Sequence, residues 1–436
     1  MAPRPFGRTA VAACALALAL TGGAIVAGDR GGDGPAPASV APAAPPPQHL
    51  GTDGLDRSVR TLQAHLRSQP GDFGGWATLG TAYVEQARTH GDPSRYPQAQ
   101  RALARSLKLR PEDNDAALAG RAALAAARHD FHGALRDAQR ALAVNPYSER
   151  ALSTRIDALV ELGRYPAAAR AAHEADARRP GIPVSTRLSY VHELRGDIAG
   201  ARHILTQSLA AASAPGDVAY VTTALGQLAL RQGEFGTASR RCGRALRVAA
   251  DSVSALECRA RARAGRGDTA GAIRDLRNLV ARYPLPGPLV ALGELYEARG
   301  DLRAAREQYG LVPAWVSLAR AGGVDVDLDT ALASADHGDR AAALRAARAE
   351  WARRHTVHTA DALGWALHRN GRDREALPYV RFATRTGFRD ASFFFHRGAV
   401  ARGAERRTWL TKALRCDPAF SPLGAAEARR LLREAS

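Results

Sequence analysis

The sequence predicts an all-α fold, a solenoid of repeated helix–turn–helix units, from three observations. Of 436 residues, 46% are hydrophobic but only 6% are aromatic. The apolar share is dominated by alanine, which suits closely packed helices better than sheets. A glycine, an apolar or aromatic residue and an alanine recur with fixed spacing, as in Gly163-x-Tyr165-x-x-Ala168, Gly233-x-Phe235-x-x-Ala238 and Gly300-x-Leu302-x-x-Ala305. Pro111, Pro146 and Pro180 follow one another at intervals of 35 and 34 residues, the signature of an array rather than of independent domains.

The N-terminus comes first in chain order. Arg4 and Arg8 precede an uncharged run from Thr9 to Gly28, with its apolar centre at Val11–Leu20. Residues 1–28 read as a secretory signal peptide or an uncleaved membrane anchor. Ile25-Val26-Ala27 offers a small-residue cleavage site, and the flanking charge places the remainder outside the cytoplasm in either case. Val11-Ala12-Ala13-Cys14 has the look of a lipid-attachment box, but its apolar segment follows the cysteine instead of preceding it. Residues 29–52, with Pro35, Pro37, Pro42 and Pro45-Pro46-Pro47 among Ala and Gly, read as a flexible linker.

From residue 53 the repeats begin. Trp76-x-x-Leu79-Gly80-x-x-Tyr83 is followed by Ala99, Leu103, Leu107 and Pro111. Phe131-x-x-Ala134, Gly196-x-Ile198-x-x-Ala201, Leu225-Gly226, Gly267, Ala272 and Leu292-Gly293-x-x-Tyr296 carry the pattern to residue 309. Gly310, Pro313 and Gly322-Gly323 break it, so 310–329 is expected to be an irregular joint packed through Trp315, Val316 and Leu318. A second block spans 330–436, marked by Leu363-Gly364, Gly371, Ala376, Gly398 and Pro418, and ends in a capping helix. The glycine at each turn tolerates left-handed dihedrals. The small residue at Gly80, Gly226 or Gly293 lets two helices approach, and the proline ends the second helix.

This pattern resembles the tetratricopeptide repeat. The resemblance covers Leu55 to Pro418 and implies nine to ten units in a right-handed superhelix. It also implies a scaffold that holds a protein or peptide partner in its concave groove, lined by the first helix of each unit. Aligned to the repeat, the lining positions are Arg150, Ser153, Asp157, Tyr220, Thr223, Gln227, Glu257, Arg261, Glu294, Asp361 and Trp365. They are mixed in charge and do not repeat the carboxylate clamp of chaperone-binding members. Trp76, Tyr83, Tyr165, Phe235 and Tyr296 fall on packing positions and are expected in the core.

No catalytic motif or cofactor site is expected. His173-Glu174 and His192-Glu193 lack the second histidine of a zinc-protease helix. His129-x-x-His132 and His355-x-x-His358 lack a third and fourth ligand and read as solvated histidines. Asp325, Asp327, Asp329 and Asp336 have the spacing of a calcium loop, but Thr330 stands where the loop needs glycine, so a helix cap is the stronger reading.

Lys plus Arg is 61 and Asp plus Glu is 43, a formal charge of +18. The arginines are spread along the helices instead of forming a run. Two readings remain: compositional bias, or an anionic partner such as a surface polymer or lipid headgroups. Export argues against nucleic acid. Cys242 and Cys258 flank the turn near Ala250-Asp251 at similar height. Both a disulfide between them and two small buried side chains fit that placement.

Overall fold

Hydrogen-bonded helices account for about four-fifths of the backbone in the computed structural model, which describes residues 52–434 and contains no strand among them. The signal or anchor and the linker, apart from Thr52, lie outside the described residues.

The first helix, α1 (Thr52–Ser68), lays Leu55, Val59 and Leu66 against the first hairpin. Seven hairpins follow: α2 (Phe73–His90) with α3 (Tyr96–Leu109), α4 (Asp115–Ala127) with α5 (Phe131–Val144), α6 (Glu149–Glu161) with α7 (Tyr165–Arg178), α8 (Ile182–Leu194) with α9 (Ile198–Ala211), α10 (Pro215–Arg231) with α11 (Phe235–Val248), α12 (Val253–Gly265) with α13 (Thr269–Arg282), and α14 (Pro286–Ala298) with the short α15 (Leu302–Tyr309). A single helix, α16 (Val312–Ala321), leads into three more hairpins: α17 (Asp327–His337) with α18 (Arg340–Arg353), α19 (Val357–Arg369) with α20 (Asp373–Ala383), and α21 (Ala391–Val400) with α22 (Gly403–Cys416). The last helix, α23 (Pro422–Glu434), closes the array.

Several hairpin turns are built by two adjacent residues. A glycine with positive φ ends the first helix, as at Gly196 (φ 78), Gly267 (φ 84) and Gly300 (φ 82). The aspartate after it caps the second: Asp197, Asp268 and Asp301 accept from the backbone N–H of Gly200, Gly271 and Ala304. Within a hairpin the small residue of the first helix lies directly under a side chain of the second. A Cβ on Gly80 would stand 2.6 Å from Leu103, and one on Gly364 2.6 Å from Val380. Tyr83 is buried, whereas Trp76, Tyr165 and Tyr296 are half-buried against the hairpin cores and Phe235 is half-buried over Gly265 of the next hairpin.

The joint is more regular than its glycines and proline suggest. Ten of its residues form α16, because Pro313 suits a first helical turn and Val312, Trp315, Val316 and Ala319 give the helix a buried face. The break lies earlier, at the end of α15. There the Tyr309 ring covers Gly293 and stacks on His337 with centroids 4.0 Å apart.

The array curls back and touches itself. The hairpin turns of the first block meet, in series, the inter-hairpin loops of the second. The backbone N–H of Asp325 donates to Arg128 O. His129, in a left-handed conformation (φ 63) where other units carry glycine, places Nδ1 2.5 Å from Asp325 O. Arg354 bridges Glu161 and Glu350, and the Val357 N–H donates to Tyr165 Oη at 2.9 Å. A Cβ on Gly163 would collide with His355 O, and one on Gly196 would lie 2.6 Å from Gly387 O. Cys416 Sγ lies 3.5 Å from Arg231 O. Contacts along this seam join residues separated by 196, 193, 192 and 185 positions. Val357, Ala360, Ala383, Phe388 and Phe393 of the second block share one core with α4 to α8.

The seam predicts a difference between two glycines of nearly equal dihedral. At Gly371 (φ 73), where nothing lies within 4 Å of an added Cβ, Gly371→Ala should cost only the left-handed strain, about 1–2 kcal/mol. Gly163→Ala (φ 71) also meets the backbone of the other block and should cost a further ~1–3 kcal/mol. Thermal unfolding of the two variants side by side measures that gap.

Candidate functional site

The first helix of each hairpin faces inward, so the groove would have to be built there. Its sequence-aligned lining is largely withdrawn into the protein. Ser153, Thr223, Asp361 and Trp365 are buried, a correction to the expectation of an open groove. Helices of the adjacent hairpins pack over them. The Thr223 hydroxyl donates to Ala219 O. Asp361 holds His396 Nδ1 at 2.9 Å, and Trp365 Nε1 donates to Asp336, with its ring stacked 4.1 Å from that of His396.

The charged part-exposed lining residues are engaged with neighbouring side chains. Arg150 reaches Glu85 at 3.3 Å. Asp157 accepts both forks of Arg187 at 2.8 and 2.7 Å, while Arg187, 2% exposed, gives a third bond to Pro183 O. Arg261 pairs with Glu257 at 2.9 Å, and Glu294 takes Ser421 Oγ at 2.8 Å. Gln227 and Tyr220 are half-buried on α10, and burial pushes the Tyr220 phenol up to about 12. Glu193 and Arg231, absent from the aligned lining, form a further bidentate pair across hairpins. Their signal in the sequence was the one-per-unit spacing of ionisable residues on first helices. The charges of the inner surface are thus mostly paired.

The calcium constellation does not assemble. Asp325 and Asp327 converge on Arg353, at 2.7 Å each, so a guanidinium stands where a cation would. Asp336 turns away to Trp365 and Arg369. Asp329 faces inward, where burial pushes its carboxyl up to about 7 against the pull of Arg354 and with the help of Glu350. The only group of three ligating residues near one point among the described residues is Asp325, Asp327 and Glu350, and Arg353 bonds all three.

Two histidines read as solvated sit in the seam instead. Burial holds both His129 and His358 down at about 4, with Arg354 adding to the effect, so both are neutral. His129 stacks on Phe131, and His358 lies against Phe388 and Phe393. Their burial was hidden from the sequence because much of it is made by residues far away along the chain. His132 and His355 differ: His132 is exposed, and the His355 ring packs on Trp351 with centroids 4.3 Å apart.

The structure bonds Cys242 to Cys258, with Cα atoms 6.1 Å apart. Gly226 makes the room: a Cβ there would collide with Cys242 Sγ and lie 3.3 Å from Cys258 Sγ. The bridge ties the second helix of one hairpin to the first of the next.

Charge is partitioned between the two helices of a unit. On α11, which contains no acid, Arg240, Arg244 and Arg247 lie on the outer side. Neighbouring α13 carries Arg274, Arg277 and Arg282 outward, while its one acid, Asp275, is buried against Arg259 and Arg263. None of these six arginines is ion-paired among the described residues. A second basic region lines a cleft of about 690 Å³ beside α22, with Arg389, Arg407, Lys412 and Arg415 on its walls. Neither region stood out in the sequence, because periodic arginines on an exposed helix face look the same as compositional bias.

The disulfide and the buried acid can each be tested. Intact unreduced protein should weigh two hydrogens less than the reduced chain, and Cys258→Ser should lose about 3 kcal/mol of stability for a loop of this size. Asp329 is protonated to a higher pH when folded (about 7) than when unfolded (near 3.8). Its contribution is therefore full below the unfolded value and is lost as pH rises through about 7. Asp329→Asn, which keeps the neutral form, should gain in melting temperature relative to the parent between about pH 4 and pH 8. An unchanged difference across that range would refute the burial of a neutral carboxyl.

No protein-family model and no curated protein sequence matches the chain. Among solved structures it is similar to the APC/C hetero-tetramer Cut9–Hcn1, at 14% identity over 88% of this chain and 76% of that one, with a TM-score of 0.46. It is similar to the human IFIT1 dimer with m7Gppp-AAAA, at 15% identity over 77% and 76%, with a TM-score of 0.48. It is also similar to the thermophilic TPR protein TTC0263 of Thermus thermophilus, at 24% identity over 37% and 87%, with a TM-score of 0.34. The tetratricopeptide-type hairpin array stands on this chain's own helix order, turn glycines and close-approach glycines.

Proposed function

We propose that the chain is a non-catalytic repeat scaffold working outside the cytoplasm, and that it engages a protein or peptide partner of acidic character through its outer surface. One observation carries this reading. The inner charges are paired with each other, whereas the outer arginines of α11 and α13 form no ion pair among the described residues. An acidic segment laid across the two helices would meet several guanidiniums at once, each able to bind a carboxylate through two bonds. The closed superhelical turn supports the scaffold role, because it holds the two helices in fixed relation. The Cys242–Cys258 bond and the charged-then-apolar N-terminus support export, since such a bond persists in an oxidising compartment. Concave binding of an extended peptide has less support, as Ser153, Thr223, Asp361 and Trp365 are buried.

A second reading, an anionic surface polymer or lipid headgroup as partner, is favoured by the basic cleft beside α22. The two separate by crosslinking in intact cells with the full chain as bait. The parent should capture an acidic protein that the Arg244→Glu, Arg277→Glu double variant loses, with binding at least about tenfold weaker in a purified pair. Capture of the same protein at equal strength by both would overturn the outer-face reading.

A further inference from the structure

We propose that the cleft between α22 and the loop joining α20 to α21 is a binding site for a phosphate-bearing anion. The site is independent of the acidic-partner reading, since it shares no residue with α11 or α13.

The wall on one side is a single helix face. Arg407, Thr408, Thr411, Lys412 and Arg415 follow at intervals of one, three, one and three residues, which places them along one side of α22. The opposite wall is Gly387 and Arg389. That loop is not free to drift. Gly387 (φ 90) is pressed against Arg195 O and Gly196 of the first block, and Phe388 beside it is buried. The closed superhelical turn thus fixes one wall relative to the other. Phe394 and Cys416, both buried, form the floor.

The lining holds four cationic side chains and two hydroxyls and no carboxylate. Nearby acids are engaged elsewhere. Glu405 takes Arg381 and Arg397. Asp390 accepts from the backbone N–H of Ser392 and Phe393, and Asp417 from that of Ala419. The Lys412 ammonium sits 4.4 Å from the Phe394 ring centroid and 4.5 Å from that of Trp409. Burial, together with Arg389 and Arg397, holds it below the usual lysine range. Arg389, Lys412 and Arg415 thus crowd like charge around one cleft, and an anion seated between them relieves it.

Guanidinium forks from two walls, with the Thr411 hydroxyl on one of them, match a tetrahedral anion with three or four acceptor oxygens better than a planar carboxylate with two. The volume, about 690 Å³, exceeds a lone phosphate and admits a diphosphate or a phosphate carrying an organic group over the Phe394 floor. The Cys416 thiol is pushed up to about 11 by burial, so it stays protonated and the site binds without reacting.

The test is calorimetric titration of the full chain with inorganic pyrophosphate at constant ionic strength. Saturable binding is expected, weakened at least about tenfold by Arg389→Gln with Arg415→Gln. The control, Arg136→Gln with Arg170→Gln, removes the same charge from exposed positions on α5 and α7 and should leave affinity within about twofold of the parent. Circular dichroism of both variants checks that they fold. Cosedimentation with phosphatidylglycerol vesicles identifies the source of the phosphate. Association that pyrophosphate competes away points to a headgroup, and pyrophosphate binding without vesicle association points to a soluble anion. The proposal is overturned if pyrophosphate fails to saturate, or if both double variants lose affinity equally, which would leave only diffuse attraction to net charge.

Discussion

The structure depends on the contact between successive turns of its own superhelix. A helical-repeat array has only nearest-neighbour interfaces unless its path brings distant units together. Here it does, and the contact is made mostly of backbone. Gly163, Gly196 and Gly233 come so close to the loops at His355, Gly387 and Cys416 that no side chain fits between. Around this backbone seam lie the Arg354 bridge to Glu161 and Glu350, the Tyr165 hydroxyl and two neutral histidines. The same glycine therefore serves twice, once for the left-handed turn and once for the close approach.

Closing the turn decides what the inner surface can be. In an open solenoid the first helices would present a groove. In this one they are covered, and a covered charge must find a partner or be neutralised. Arg187 with Asp157, Arg231 with Glu193 and Arg150 with Glu85 are the result. The acids spent inside are not available outside, so the excess of arginine over acid collects on the second helices. The net charge of +18 is thus unevenly placed: balanced within, positive on the outer faces of α11, α13 and α22.

Rigidity is the common consequence. The disulfide between α11 and α12, the packed joint at Trp315 and the seam each remove a way for neighbouring hairpins to bend. A scaffold that keeps its basic surfaces in fixed relation loses little conformational entropy on binding. The cleft beside α22 shows the effect most directly, because the loop that forms one of its walls is braced against the first block.

The hairpins, their turns and most of their boundaries were legible in the sequence, because they rest on short-range rules. Glycine permits the left-handed turn, an aspartate caps the next helix, and a small residue opposite Leu103 or Val380 allows close packing. The similar height of Cys242 and Cys258 was legible for the same reason, whereas the room for their bond depends on Gly226. The superhelical closure was not legible. It follows from small rotations summed over successive hairpins, and no single residue encodes that sum. With it went the surroundings of His129 and His358, which Arg354 and Arg231 respectively reach from the other block. Both depend on which residue from across the seam comes to lie opposite, so local pattern fixed the units and only the tertiary path fixed their surroundings.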